Sequence, residues 1–536
     1  MSKWSRLKKA KLISSLLSIL IILIIIGLLL LKKNWTNIVN KQLKSKLEIP
    51  NHIINVEKSY IKLFSTTLIF NNISIKESEN KNKTIPLKLD LSIDELEIQL
   101  FSIFSLLADN PLNKSKIKIN DSNIFVELNT QKKDALKLKK HIKKLKIKRF
   151  ELTDSNIQLI KKDELNLKVS IDKFHVKNMK LIEIEDKNFP FDFTDFQINL
   201  NDFFFKSEKS YYHYSFKNLK LNDSLKRLEI RKLKIIPDIS SKEFFSKFTT
   251  QKSYTKLSIE KVNIDSYKLN NKEKDLDLFI PEIKLTSLVM SNLKDKNYRL
   301  DTSKIIPMPL EYLDKIKFQF RINQINASKM HYSYLEIPKE EEEAFKIYFS
   351  NCNVKIDNIS NRYNSKEKEK QNLNINFMGY LLNKGKLQLN VKSNYSKPKD
   401  IHFKASLVNF DLQTLNSITQ KSIGIKFRSG YCEKLQSTGY SENNILKGTV
   451  KFEYNKLNIA IENKKYNFRN RTLVSDIANI FIRKENPRKN GHLKIGHFEY
   501  YRNVHKNFIN FIWKSNLSGI KKSIGLPGER RDRKTK

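Results

Sequence analysis

The chain has 536 residues, with 101 Lys and Arg against 57 Asp and Glu, a formal net charge of +44 and only two cysteines. A large positive charge invites nucleic acid or an anionic membrane as partner. Here the lysines are spread along nearly every predicted strand and form no single stripe, which argues against nucleic acid and for a solvated basic outer face. Cys352 and Cys432 cannot build a disulfide framework and stand in no CxxC or Cys/His cluster, so the redox compartment stays open.

Leu12 to Leu31 is an unbroken run of uncharged, mostly apolar residues. As a helix rising about 1.5 Å per residue it spans about 30 Å, the hydrocarbon thickness of a bilayer. The run passes straight into Lys32 and Lys33 with no small-residue cleavage site, so residues 12–31 predict an uncleaved transmembrane anchor instead of a signal peptide. Lys3, Arg6, Lys8, Lys9 and Lys11 crowd the leader, residues 1–11, and place it in the cytoplasm. Trp4 and Trp35 bracket the span and suit interface anchors.

Residues 40–370 read as repetitive β structure. "KIKINDSNIFVEL" from Lys116 and "KIKRFELTDSNIQLI" from Lys146 share a pattern offset by 33 residues: apolar alternation, an Asp-Ser-Asn tripeptide, and alternation again. The pattern predicts two strands joined by a polar turn, an antiparallel hairpin unit. At about 12 residues per strand this region would hold about 28 strands and extend about 130 Å. Leu87, Leu89, Leu91 and Ile93 alternate with polar residues, as do Ile316, Phe318, Phe320 and Ile322, so each stretch predicts one apolar and one charged face. Short helices are expected around Phe101, Phe104, Leu107 and Ala108, and from Leu310 to Ile316. "KEEEEAF" from Lys339 reads as an exposed loop without the ligand pattern of a calcium site.

Composition changes near residue 370. No glycine lies between Leu28 and Met378, whereas Gly430, Gly439 and Gly448 recur every nine residues, as in a meander whose turns or close backbone approaches need glycine. Leu473, Ile477 and Phe481 predict a helix stopped by Asn486-Pro487. Ile509, Trp513, Leu517, Ile520 and Ile524 form the apolar stripe of a closing helix with Lys506, Lys514, Lys521 and Lys522 close by. Such a helix either packs on the sheet or lies on a membrane surface with Trp513 in contact.

The sequence holds no GxSxG, phosphate loop, HExxH or Rossmann fingerprint, and no catalytic, cofactor-binding or metal-ligating set stands out; His492, His497 and His505 read as ordinary surface side chains. The chain is not expected to be an enzyme.

The amino-terminal anchor, the strand-rich repeats, "NFDLQTLNSI" from Asn409, the glycine-spaced "GYCEKLQSTGYSENNILKGTVKFEY" and the closing "NFINFIWKSNLSGIKKSIG" together resemble the AsmA-like envelope proteins of Gram-negative bacteria. The likeness covers roughly the first 160 residues and about 405 to 525, and residues 371–536 would be its C-terminal region. It implies a mainly β protein with an elongated, curled, groove-like antiparallel sheet, a transmembrane helix and short C-terminal helices. The inner membrane would hold the single-pass anchor, and the periplasm the bulk of the chain. The function implied is transfer of phospholipid, or outer-envelope assembly, with membrane lipids and envelope proteins as partners and no cofactor. Leu87, Leu89, Leu91, Ile93, Ile316, Phe318, Phe320 and Ile322 are then candidates to line the lipid groove. The alternative is a scaffolding β protein whose apolar face is a closed core.

Overall fold

The structure, a computed structural model, describes residues 52–62, 65–77, 87–102, 113–128, 146–161, 164–181, 191–207, 210–272, 275–461 and 482–528. The anchor at 12–31, Trp4, Trp35, the helix expected at Phe104 to Ala108 and the one at Leu473 to Phe481 lie outside these residues. Among the described residues no helix is long and apolar enough to cross a membrane. The chain is mainly β and divides into two compact units on either side of Arg231 and Lys232.

The first unit contains β1 (His52–Lys62), β2 (Thr67–Glu77), β3 (Leu87–Gln99), β4 (Ser115–Leu128), β5 (Lys146–Lys161), β6 (Glu164–Leu181), β7 (Phe191–Asp192), β8 (Asp195–Lys206) and β9 (Tyr212–Asn222). Neighbours in sequence pair antiparallel from β1 to β4 and again from β5 through β6 and β8 to β9, with β7 a short addition to β6. β4 and β5 pair in parallel, so the sheet is mixed and not uniformly antiparallel as the sequence pattern predicts.

That parallel pair is the repeat itself. Each copy is one continuous strand, and the two lie side by side with Ile119 against Leu152, Asn123 against Asn156 and Val126 against Leu159. Like polar side chains then meet: Ser122 Oγ and Ser155 Oγ are 2.8 Å apart, Thr153 Oγ1 donates to Asn120 Oδ1 at 2.8 Å, and Asn156 Nδ2 donates to Asn123 Oδ1 at 3.1 Å. The Asp-Ser-Asn tripeptide is therefore not a turn. Asp121 and Asp154 sit at φ 47° and 49°, a left-handed conformation that Asx side chains tolerate better than most. One such residue inserts an extra step into the pleat, bends the strand and returns the apolar side chains to the same face. Burial follows: Ile117 and Ile119 are buried before the step, Ile124 and Val126 after it.

The step propagates. Strand pairing in this unit is interrupted at Glu57, Asn72, Asp94, Asp121, Asp154, Asp172 and Asn201, one exposed polar residue per strand, along a line that crosses the sheet. Reading these steps as turns halves the strands; the observed ones are mostly 10 to 21 residues long, and the described residues of the stretch assigned about 28 strands form β1 to β15. On the inner face, Leu68, Phe70, Leu89, Leu91, Ile93, Leu96 and Ile98 are all buried, whereas β8 and β9 contain no fully buried residue.

β10 (Arg227–Pro237) contains the division between the units. The second unit holds α1 (Ser241–Ser246), β11 (Ser253–Ile264), β12 (Lys268–Lys272), β13 (Asp275–Asp295), α2 (Pro309–Leu313), β14 (Gln319–Ile337), β15 (Phe345–Ser360) and α3 (Ser365–Lys370). It continues with β16 (Asn372–Leu381), β17 (Gly385–Asn394), β18 (His402–Asp411), α4 (Asn416–Ile423), β19 (Ile425–Glu442), β20 (Ile445–Ile461), β21 (Ile495–Tyr501) and α5 (Phe508–Ser523). β11 and β12 pair in succession with β13, β13 and β14 are parallel, and β14 to β21 form an antiparallel meander. Here too the parallel pair aligns two left-handed residues, Ser287 and Lys329. The composition change near residue 370 falls on α3, between strands that pair directly.

This meander curls. β14 and β21 are seven strand spacings apart, about 34 Å on a flat sheet. Yet Ile306 N, in the connection leading to β14, donates to Val504 O at 2.8 Å just after β21, and His505 Nδ1 lies 2.9 Å from Lys304 O. Right-handed strand twist accumulated over the intervening strands brings these ends together.

If the left-handed step is what bends the sheet, Asp154→Gly should leave stability within about 0.5 kcal/mol, while the β-branched Asp154→Val should lose about 1–2 kcal/mol. Denaturant unfolding of both variants checks this; equal losses would show that the backbone conformation is not the constraint.

Candidate functional site

An open cavity of about 710 Å³ lies on the inner face of the second unit across β14 to β19. Its floor is one line of residues in register: Ala327, Val354, Phe377, Leu389, Ala405 and Ser437. The flanking residues Asn353, Lys355, Gln388, Asn390 and Lys404 also bound the cavity, and strand alternation turns their exposed side chains toward the opposite face. The floor is therefore apolar except for the Ser437 hydroxyl, which donates to Thr449 O at 3.1 Å and is thereby satisfied. Small side chains at Ala327, Ala405 and Ser437 leave the space that bulkier residues would fill. Five strand spacings give a trough about 24 Å long, longer than the roughly 15 Å of one leaflet of a 30 Å hydrocarbon core.

Packed cores bound the trough. Phe403, Phe410, Leu446, Val450, Phe452 and Phe498 are buried around it, and α4 packs against β15 and β19, with Lys421 Nζ 2.7 Å from Glu343 Oε2. Cys352 and Cys432 are free and buried, and burial pushes their thiols up to about 11 and about 12, so both stay protonated at neutral pH. Tyr395, Tyr334 and Tyr454 hydroxyls are likewise raised by burial and act as hydrogen-bonding groups, not as bases. Among the described residues no group of three or more His, Cys, Asp or Glu could hold a metal ion.

The residues singled out from sequence fall elsewhere. Leu89, Leu91 and Ile93 are 1% exposed in the core of the first unit, and the Leu87 side chain lies outside the described residues. The alternation at Ile316 to Ile322 is only partly a strand, because β14 begins at Gln319. Ile316 and Phe318 precede it in the connection from α2 and are 37% and 42% exposed; Phe320 is buried and Ile322 packs beside it in a small core with Leu310 and Tyr395. None of these lines the cavity. Val354, Phe377 and Leu389 carried the same alternating signal, but only register shows that Ala405 and Ser437 stand beside them.

α5 packs on the sheet along one side and leaves the start of the predicted stripe exposed. Asn507 caps it, its side chain accepting from Asn510 N at 3.0 Å. Its sheet-facing side is Phe511, Ile512, Ser515, Ser518 and Gly519, laid on β20 and β21. A Cβ on Gly496 would collide with the Gly519 carbonyl, so paired glycines set this close approach. The predicted stripe therefore points away from the sheet at its start, with Ile509 49% and Trp513 54% exposed, while Leu517 and Ile520 are half-buried. Gly439 and Gly448 face one another across β19 and β20 beneath the rings of Phe403 and Phe498, which confirms close approach and excludes turns.

The chain matches no protein-family model and no curated protein.

With Ile509 and Trp513 outward and lysines on either side, Trp513 fluorescence should shift to the blue on adding anionic vesicles, and Trp513→Ala should weaken vesicle binding without unfolding the protein. An unshifted spectrum would mean that this face stays in water.

Proposed function

We propose that this chain is a membrane-anchored envelope protein of AsmA-like type that carries phospholipid acyl chains, with no catalytic role. The observation that carries the reading is the open apolar trough over Ala327 to Ser437. An apolar sheet face needs a sheet, helices or a ligand as cover, and over β14 to β19 the described residues leave space instead. An acyl chain fits that space in length and chemistry. The anchor at residues 12–31 would hold the protein in the inner membrane with its bulk in the periplasm, and the elongated groove the resemblance implies would extend the path. Envelope proteins are further partners under this reading; nucleic acid is not one.

The alternative, a scaffold with a closed core, draws on the first unit, where the inner residues of β2 to β4 are fully buried. The two readings separate by substitution. Leu389→Glu puts a charge into the trough, where acyl chains would otherwise lie, and the protein should stay folded because the site is open to water. Leu89→Glu buries an unpaired carboxylate at a cost on the order of several kcal/mol and should unfold the first unit. Mass spectrometry of lipids extracted from the purified full chain, with circular dichroism of each variant, checks this. A folded Leu389→Glu protein without co-purified lipid supports the trough; unchanged lipid, or none in the parent protein, contradicts it.

A further inference from the structure

The connection that follows β13 meets the segment that leads into α5, where Ile306 N donates to Val504 O at 2.8 Å and His505 Nδ1 lies 2.9 Å from Lys304 O, and basic side chains from the two sides come near one another. Lys294 and Lys296 project from the end of β13; Lys294 stands in register with Glu336 of β14, and Lys296 Nζ is 3.3 Å from Glu336 Oε2. The Tyr334 hydroxyl donates to the same carboxylate. From the other side come Lys506, just before the Asn507 cap, and Lys514 on the second turn of α5.

Lys294, Lys296 and Lys506 thus lie near one carboxylate, Glu336, which Lys296 and Tyr334 already engage, and Lys514 stands beside Lys506. Burial holds Lys294 and Lys506 below the ordinary lysine range; Lys296 lowers both further, as do Lys514 and Lys294 for Lys506, and only Glu336 opposes this. Among the described residues Lys294, Lys506 and Lys514 have no carboxylate within ion-pair distance. Partly desolvated like charges are unfavourable unless a counter-charge completes the cluster. The first turn of the 16-residue α5 adds partial positive charge at the same place.

We propose that Lys294, Lys296, Lys506 and Lys514 form a binding site for the phosphate of an anionic phospholipid. The lipid source, as against free phosphate, follows from what adjoins the cluster. Ile509 and Trp513 lie exposed between Lys506 and Lys514, so the anion would sit beside an uncovered apolar surface, as a headgroup sits beside its chains. The assignment rests on the lipid-carrying reading and adds headgroup selectivity to it.

The test uses the full chain in neutral detergent with three probes: phosphatidylglycerol, diacylglycerol of the same chains, and inorganic phosphate. Native mass spectrometry should show phosphatidylglycerol binding about tenfold more tightly than diacylglycerol, through charge-assisted contacts to the phosphate. Lys294→Gln with Lys506→Gln should reduce phosphatidylglycerol to the level of diacylglycerol, with diacylglycerol binding and melting temperature preserved; the Arg pair should restore it. Should the Gln pair misfold, Lys506→Gln alone, in the segment before α5, makes the same comparison. Equal binding of the two lipids in the parent protein overturns the headgroup site and leaves the trough intact. Binding of neither lipid removes both. Inorganic phosphate bound as tightly as the lipid assigns the cluster to a free anion and overturns the proposal.

Discussion

The bends in this fold follow from keeping apolar residues on one face of strands of up to 21 residues. A long twisted strand drifts away from a common inner surface, and the chain corrects the drift with single left-handed residues. The left-handed residues Asn72, Asp121 and Asp154 fall on the line of interrupted pairings that crosses the sheet, and across the parallel pair two of them, Asp121 and Asp154, lie side by side, so the sheet bends along a line. In the first unit Asx side chains occupy most of that line, and at Asn72, Asp121 and Asp154 their tolerance of positive φ keeps the conformational cost low. Apolar residues on both sides of the step then reach the same core.

The same constraint explains why cover varies. Where inner residues are large and aligned, as at Phe70, Leu96 and Ile119, the face closes. Where register places Ala327, Ala405 and Ser437 in one line, no rotamer can fill the space and a trough remains. Glycine does a different job in the same unit, since Gly496 and Gly519 let α5 approach β21 so closely that small residues suffice on its buried side. That frees Ile509 and Trp513 to face outward.

Sequence patterning revealed that the chain is mainly β and where one strand face is apolar, because period-2 alternation needs no knowledge of partners. It misjudged strand length and direction for one reason: a phase shift at Asp154 and a true turn look alike when written as Asp-Ser-Asn. The parallel pairing of β4 with β5 was legible only as a repeat offset by 33 residues, whose meaning is in-register stacking. The trough was not legible at all. Its defining residues are ordinary alanines and a serine, and nothing local distinguishes Ala405 from any other small strand residue. The stripe at Ile509 and Trp513 was visible as a helix face, but whether it pointed inward depended on the glycine contact.

The central claim is that an acyl chain lies over the floor of the trough. Photocrosslinking in living cells tests it most directly, with p-benzoylphenylalanine placed singly at 377, 389 and 405 on the inner face and at 388, 390 and 404 on the outer. The account predicts lipid adducts, read as mass additions on the purified protein, at the three inner positions and none at the three outer ones. Adducts on both faces alike, or on neither, would contradict it.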